Sequence, residues 1–127
     1  MKKLESLELS ALRHTWILDL DGTILKHNGY KLDGHDTFLP NAESFLCDIP
    51  NDDMIIFLTS RTEEYSEITE GFLKNNNIRF DHIIYNAPYG ERIIINDCKP
   101  SGLKMAEAIN LERDSGDFPK IVINNNI

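Results

Sequence analysis

The stretch Trp16-Ile17-Leu18-Asp19-Leu20-Asp21-Gly22-Thr23 decides how this chain is read. A short apolar run bounded by a turn signal reads as a buried strand. Here the run ends in two carboxylates at i and i+2, followed by a Gly-Thr turn. Two acids at the mouth of a sheet are costly to desolvate unless something positive binds there. A hard divalent cation together with a phosphate group meets that need economically.

Working outward, strands are predicted over 15–20, 54–58, 83–85, 93–95 and 121–123, and helices over 42–49, 63–75 and 102–111. Asn41 and Thr62 are placed to cap the first two helices. Residues 3–13 set Leu4, Leu7, Ala11 and Leu12 at helical spacing, which predicts a short amphipathic helix inside an N-terminal extension, residues 1–14. Asn28-Gly29 and Asp33-Gly34 are turn signals, so 26–40 reads as a flap loop rather than a domain. Alternating strands and helices, with continuously apolar strands, predict an α/β fold. Its central sheet would be mostly parallel, of about five strands, with helices on both faces. The 127 residues form one domain, residues 1–127.

Composition narrows the function classes. A formal charge of −8 argues against binding a nucleic-acid backbone, which needs clustered Lys and Arg. No apolar run is long enough for a membrane span, and the first residues lack the apolar core of a secretory signal. Cys47 and Cys98 fit neither a disulfide framework nor a metal-binding spacing, and Cys98 is expected to pack as a small residue. The expected compartment is cytoplasmic.

In parallel sheets, ligands bind beyond the carboxyl ends of the strands. Three of the predicted strands carry polar clusters there: Asp19/Asp21, Thr59/Ser60/Arg61 and Asn96/Asp97. Asp19 can attack a phosphoryl group to form an aspartyl-phosphate. Asp21 can protonate the leaving alcohol and then activate water. Asp19 and Asp97 can hold Mg²⁺, with Asp21 beside them completing the candidate metal set. The Thr59 hydroxyl, with Ser60 and the backbone N–H groups that follow, suits a phosphate oxygen. His27, His35 and Tyr89 could line the approach to such a site, while His14 and His82 read as structural.

Asp-Leu-Asp-Gly-Thr at 19–23, Leu-Thr-Ser-Arg at 58–61 and Ile-Asn-Asp at 95–97 together resemble the haloacid dehalogenase superfamily. The resemblance covers about residues 15–100. It implies a Rossmann-like core, Mg²⁺, Asp19 as nucleophile, Asp21 as acid/base, Thr59 as phosphate ligand and Asp97 as metal ligand. The chain departs from the family pattern at two places. Where small capless members carry Lys-Pro, it has Asn86-Ala87-Pro88, so another cation must face the phosphate. Lys99 and Arg61 lie on the correct side of the expected sheet, and Lys99 is preferred. Arg92, five residues before Asp97 on an extended strand, would lie about 16 Å away. Asn96 also stands where many members have an acid.

The intervals between motifs leave no room for a cap domain. Capless members act on large substrates or complete the site as a homo-oligomer, and small ones resemble phosphatases of polysaccharide, capsule or sugar-phosphate pathways. The expected function is therefore a Mg²⁺-dependent phosphatase acting on a small-molecule phosphate ester, with no nucleic-acid or membrane partner. The alternatives are a catalytically impaired phosphate- or partner-binding module, and phosphotransfer to an acceptor other than water.

Overall fold

The computed structural model describes residues 6–127. It is an α/β fold whose strands lie in two small parallel sheets. Strand β1 spans Ser6–Ser10 and β2 spans Thr15–Leu18. A one-turn helix α1, Gly29–Leu32, lies within the flap, and α2 covers Ala42–Cys47. Then follow β3 at Met54–Leu58, a 3₁₀ turn at Glu63–Tyr65, α3 at Ser66–Asn75, β4 at His82–Ile84 and β5 at Lys120–Asn124.

Strand β3 is central. It pairs in parallel with β2, Thr15 opposite Met54 through Leu18 opposite Phe57, and with β4, Ile56 opposite His82. Its side chains alternate: Ile55 and Phe57 are buried, whereas Ile56 and Leu58 on the other face are half-buried. Alternation of that kind marks a sheet with one well-covered face. Against the expectation of helices on both faces, the second face is only half-covered. The buried face meets Leu20, Ile24, Leu39, Ala42, Leu46 and Leu73, which form the core.

Three predicted elements differ. Of the residues expected as an N-terminal helix, 6–10 form β1 and 11–13 the bent link after it, while 3–5 lie outside the described residues. Leu7 and Leu9 alternate with Ser6, Glu8 and Ser10, so the same letters also satisfy a period of two, and pairing with β5 selects it. Residues 93–95 are not a strand: Ile93, Ile94 and Ile95 are exposed. The predicted helix over 102–111 is likewise irregular and mostly exposed. The fifth predicted strand forms as β5 but joins β1, so the expected five-stranded sheet is replaced by sheets of three and two strands. Among the described residues, no helix is long and apolar enough to cross a membrane.

Two joints tie these parts together. Asp53, buried just before β3, accepts hydrogen bonds from the His14 backbone N–H at 3.1 Å and from Trp16 Nε1 at 3.0 Å. Gly116 has a φ of 68°, and a Cβ there would run into the Pro40 carbonyl. Asn41 stands at the start of α2 but makes no side-chain cap; its amide donates instead to the Gly116 carbonyl. Thr62 precedes its helix in the same way, and its hydroxyl donates to Glu64.

Candidate functional site

The turn after β2 is built by its backbone. The N–H groups of Thr23, Ile24 and Leu25 all converge on the Leu20 carbonyl, and Gly22 N–H donates to the Leu25 carbonyl. Gly22 adopts a φ of 86°, a conformation that costs a residue with a Cβ. Leu20, Ile24 and Leu25 are completely buried. At about 1.5–3 kcal/mol for each buried side chain, they anchor the turn in the core. The side chains on either side of Leu20, Asp19 and Asp21, are thereby presented at the carboxyl edge of the sheet.

The two acids have different surroundings. Asp19 is about one-third exposed. One oxygen accepts from the Thr23 hydroxyl at 3.2 Å, and the other lies 3.2 Å from an Arg92 guanidinium nitrogen. Asp21 is largely enclosed, and both its oxygens accept from Arg61, at 3.0 and 2.9 Å.

Arg61 is the hub of the site. Its Nε and one terminal nitrogen grip Asp21; both terminal nitrogens grip Asp36, at 3.0 and 2.7 Å; and one also donates to the Thr69 hydroxyl at 2.9 Å. A guanidinium has five N–H donors, and these contacts engage all five. The Tyr30 ring lies against its face, 3.9 Å from centroid to carbon, and Tyr30 packs edge-on against Tyr65. Burial opposes the charge on Arg61, but its hydrogen bonds to Asp21 and Asp36 outweigh it and raise the group's pKa. Tyr30, in turn, is raised mainly by burial.

Thr59 is buried, and its hydroxyl accepts the Arg61 backbone N–H at 3.0 Å. Ser60 is half-buried beside it, its hydroxyl 3.4 Å from the Pro88 carbonyl. Asp19, Asp21, Thr59, Ser60 and Arg61 thus share the carboxyl ends of β2 and β3.

Asp97 and Lys99 are placed differently. Both are exposed; Asp97 accepts from Asn96, and Lys99 bonds through its backbone to Leu103 and Gly102. The reason is the missing fourth strand, which was to carry them to the site. The same change reverses the reading of Arg92: off a regular strand, it bends back to Asp19. Arg61 is corrected too, since its donors all point into the protein and none is left for a phosphate. Cys98, expected to pack, is exposed.

Among the described residues, no group of three or more His, Cys, Asp or Glu side chains is arranged to hold a metal ion. Asp19 offers one partly exposed carboxylate, Asp21 is enclosed by Arg61 and Asp97 is exposed, bonded locally to Asn96. The residues as placed therefore do not fit a three-carboxylate magnesium centre.

Several residues of the site carried no sequence signal. Asp36 and Tyr30 lie in a flap with no periodicity. Asp114, with a φ of 63°, donates its N–H to the Gly22 carbonyl and accepts from the His27 N–H, so a late segment braces the turn. A separate cavity of about 670 Å³ opens at the opposite, amino end of β2, lined by His14, Trp16, Phe45 and Asp53 among others. None of the predicted site residues borders it.

Comparison of the chain with protein-family descriptions, curated proteins and solved structures found no match.

Proposed function

We propose that this chain hydrolyses phosphate monoesters through Asp19. The observation that carries the reading is the contrast between its two acids. Asp19 is partly open to solvent and flanked by a hydroxyl and a guanidinium, while Asp21, two residues on, is gripped through both oxygens by a buried arginine. An Asp19 oxygen attacks phosphorus, and the bond from phosphorus to the ester oxygen breaks as the aspartyl-phosphate forms. Arg92 faces the negative charge gathered on the phosphoryl oxygens and the nucleophile. Asp21, whose two oxygens accept from Arg61, is assigned the general-base role: it takes a proton from the water that cleaves the acyl-phosphate and passes it to solvent, while the leaving alkoxide is protonated by solvent.

Magnesium enters this reading through the resemblance in the first motif. No step is assigned to it, because Asp97 is not brought to Asp19. The substrate class is a small phosphorylated metabolite such as a sugar phosphate, met by a site with the 26–40 flap beside it. A cytoplasmic setting and completion of the site by a second copy belong to the same proposal.

The dispersal of Asp97 and Lys99 favours a second reading, a phosphate- or partner-binding module without turnover. Assay of an aryl phosphate with and without Mg²⁺ separates the two. Asp19→Asn, with an unchanged circular dichroism spectrum, should lower turnover on the order of 10³-fold or more. Equal activity in the variant rejects Asp19 as nucleophile. Phosphate binding with no turnover in the wild type favours the module.

A further inference from the structure

We propose that Asp36 and Tyr30 are positioning residues. Acting through Arg61, they set the orientation of Asp21, so that the 26–40 flap must be docked for the site to be assembled. This rests on the phosphatase reading above.

The flap is closed at its base by an antiparallel bridge between Leu25 and Phe38, with the Leu39 N–H donating to the Ile24 carbonyl and the Lys26 N–H to the Thr37 carbonyl. Beyond that base, residues 31–35 are exposed, whereas Asp36 turns inward, its side chain 3% exposed. A carboxylate is almost never buried without a charged partner. Here the partner is the guanidinium that also holds Asp21. Tyr30, also in the flap, rests on the face of the same group.

Asp36 and Tyr30 of the flap thus meet on one side chain, and that side chain grips both oxygens of Asp21. The planar fork of a guanidinium allows little freedom once both of its carboxylates are bidentate. Fixing Arg61 from the flap side fixes Asp21 on the other. Thr69, on α3, supplies the remaining acceptor and keeps the fork from rotating. Positioning of this kind works as an outer layer of support does at other sites: removing it leaves the reacting groups present but poorly aimed.

The test compares Asp36→Asn and Tyr30→Ala with Asp33→Asn, a flap control whose carboxylate pairs with Lys26 at the surface. Steady-state kinetics on an aryl phosphate and amide hydrogen exchange are both measured. Asp36→Asn should lower kcat about 10-fold or more with KM within about twofold, and should speed exchange at 22–25 together with 26–40. Tyr30→Ala, which strands no charge, should act in the same direction and stays informative if Asp36→Asn fails to fold. The control should change neither. A kcat within twofold of wild type, or a flap that loosens while exchange at 22–25 is unchanged, overturns the proposal. If the wild type has no turnover, the phosphatase reading fails and the exchange arm alone decides: joint loosening supports the coupling, and independent loosening overturns it.

Discussion

The Arg92 guanidinium lies 3.2 Å from the Asp19 carboxylate, although seventy-three residues separate them in the chain. Both are about one-third exposed, so the pair sits at an open mouth rather than in the core. An ion pair so exposed contributes little to stability. Under the proposed phosphatase function, its use would be to hold positive charge beside the nucleophile as it meets a phosphate dianion.

Arg92→Ala should therefore lower kcat on an aryl phosphate by about 10²-fold, in the range seen when one charge-stabilising donor is removed. Lys99→Ala, whose side chain stands away from Asp19, should leave kcat within about twofold. Thermal midpoints of the two variants should match wild type. A larger loss from Lys99→Ala than from Arg92→Ala would return the cationic role to Lys99.

Arg61 has the opposite character, being a buried pairing whose loss is felt in stability. Arg61→Met leaves Asp36 buried and Asp21 largely enclosed without their shared cation, which should cost about 3–5 kcal/mol in urea unfolding. Arg61→Lys keeps the charge but has three rotatable donors in place of a five-donor fork, so it should recover only a minor part of that loss. Full recovery by lysine would mean that charge alone, without the fork geometry, holds the two acids.

The Tyr85 hydroxyl donates to Glu70 at 2.9 Å. Burial first, and then the Glu70 carboxylate, raise its pKa above the usual tyrosine range. The unfolded chain therefore releases this proton before the folded one does. The stabilisation is fully present below about pH 10 and is lost as pH rises beyond it. Urea midpoints measured from about pH 8 to about pH 11 should fall for the wild type and fall less steeply for Tyr85→Phe.

Much of the fold could be read along the chain. The apolar runs at 15–18 and 54–58 are strands because their period and length admit little else, and 66–75 is a helix with Leu73 buried and Lys74 exposed. Sequence and structure part where a local pattern is sound but its partner lies elsewhere. Ile93-Ile94-Ile95 has the composition of a buried strand, yet a strand exists only through hydrogen bonds to a neighbour, and these residues stand exposed. Leu7 belongs both to the helical set Leu4, Leu7, Ala11 and Leu12 and to the strand alternation Leu7 and Leu9, and pairing with β5 decides between them.

At the site, the sequence by itself determined the Asp19-to-Thr23 turn: a strand end, two acids on alternate sides of a buried Leu20, and a glycine where the backbone needs a positive φ. Those features depend on neighbours in the chain, whose spacing is set by covalent geometry. Which cation serves which acid was decided only by the tertiary structure. Arg61 and Arg92 look interchangeable as letters, but one is enclosed by Asp21, Asp36, Thr69 and Tyr30 and the other rests on Asp19. The physical reason is that an ion pair forms wherever folding brings opposite charges within a few ångströms, and nothing in the sequence near either arginine encodes that distance.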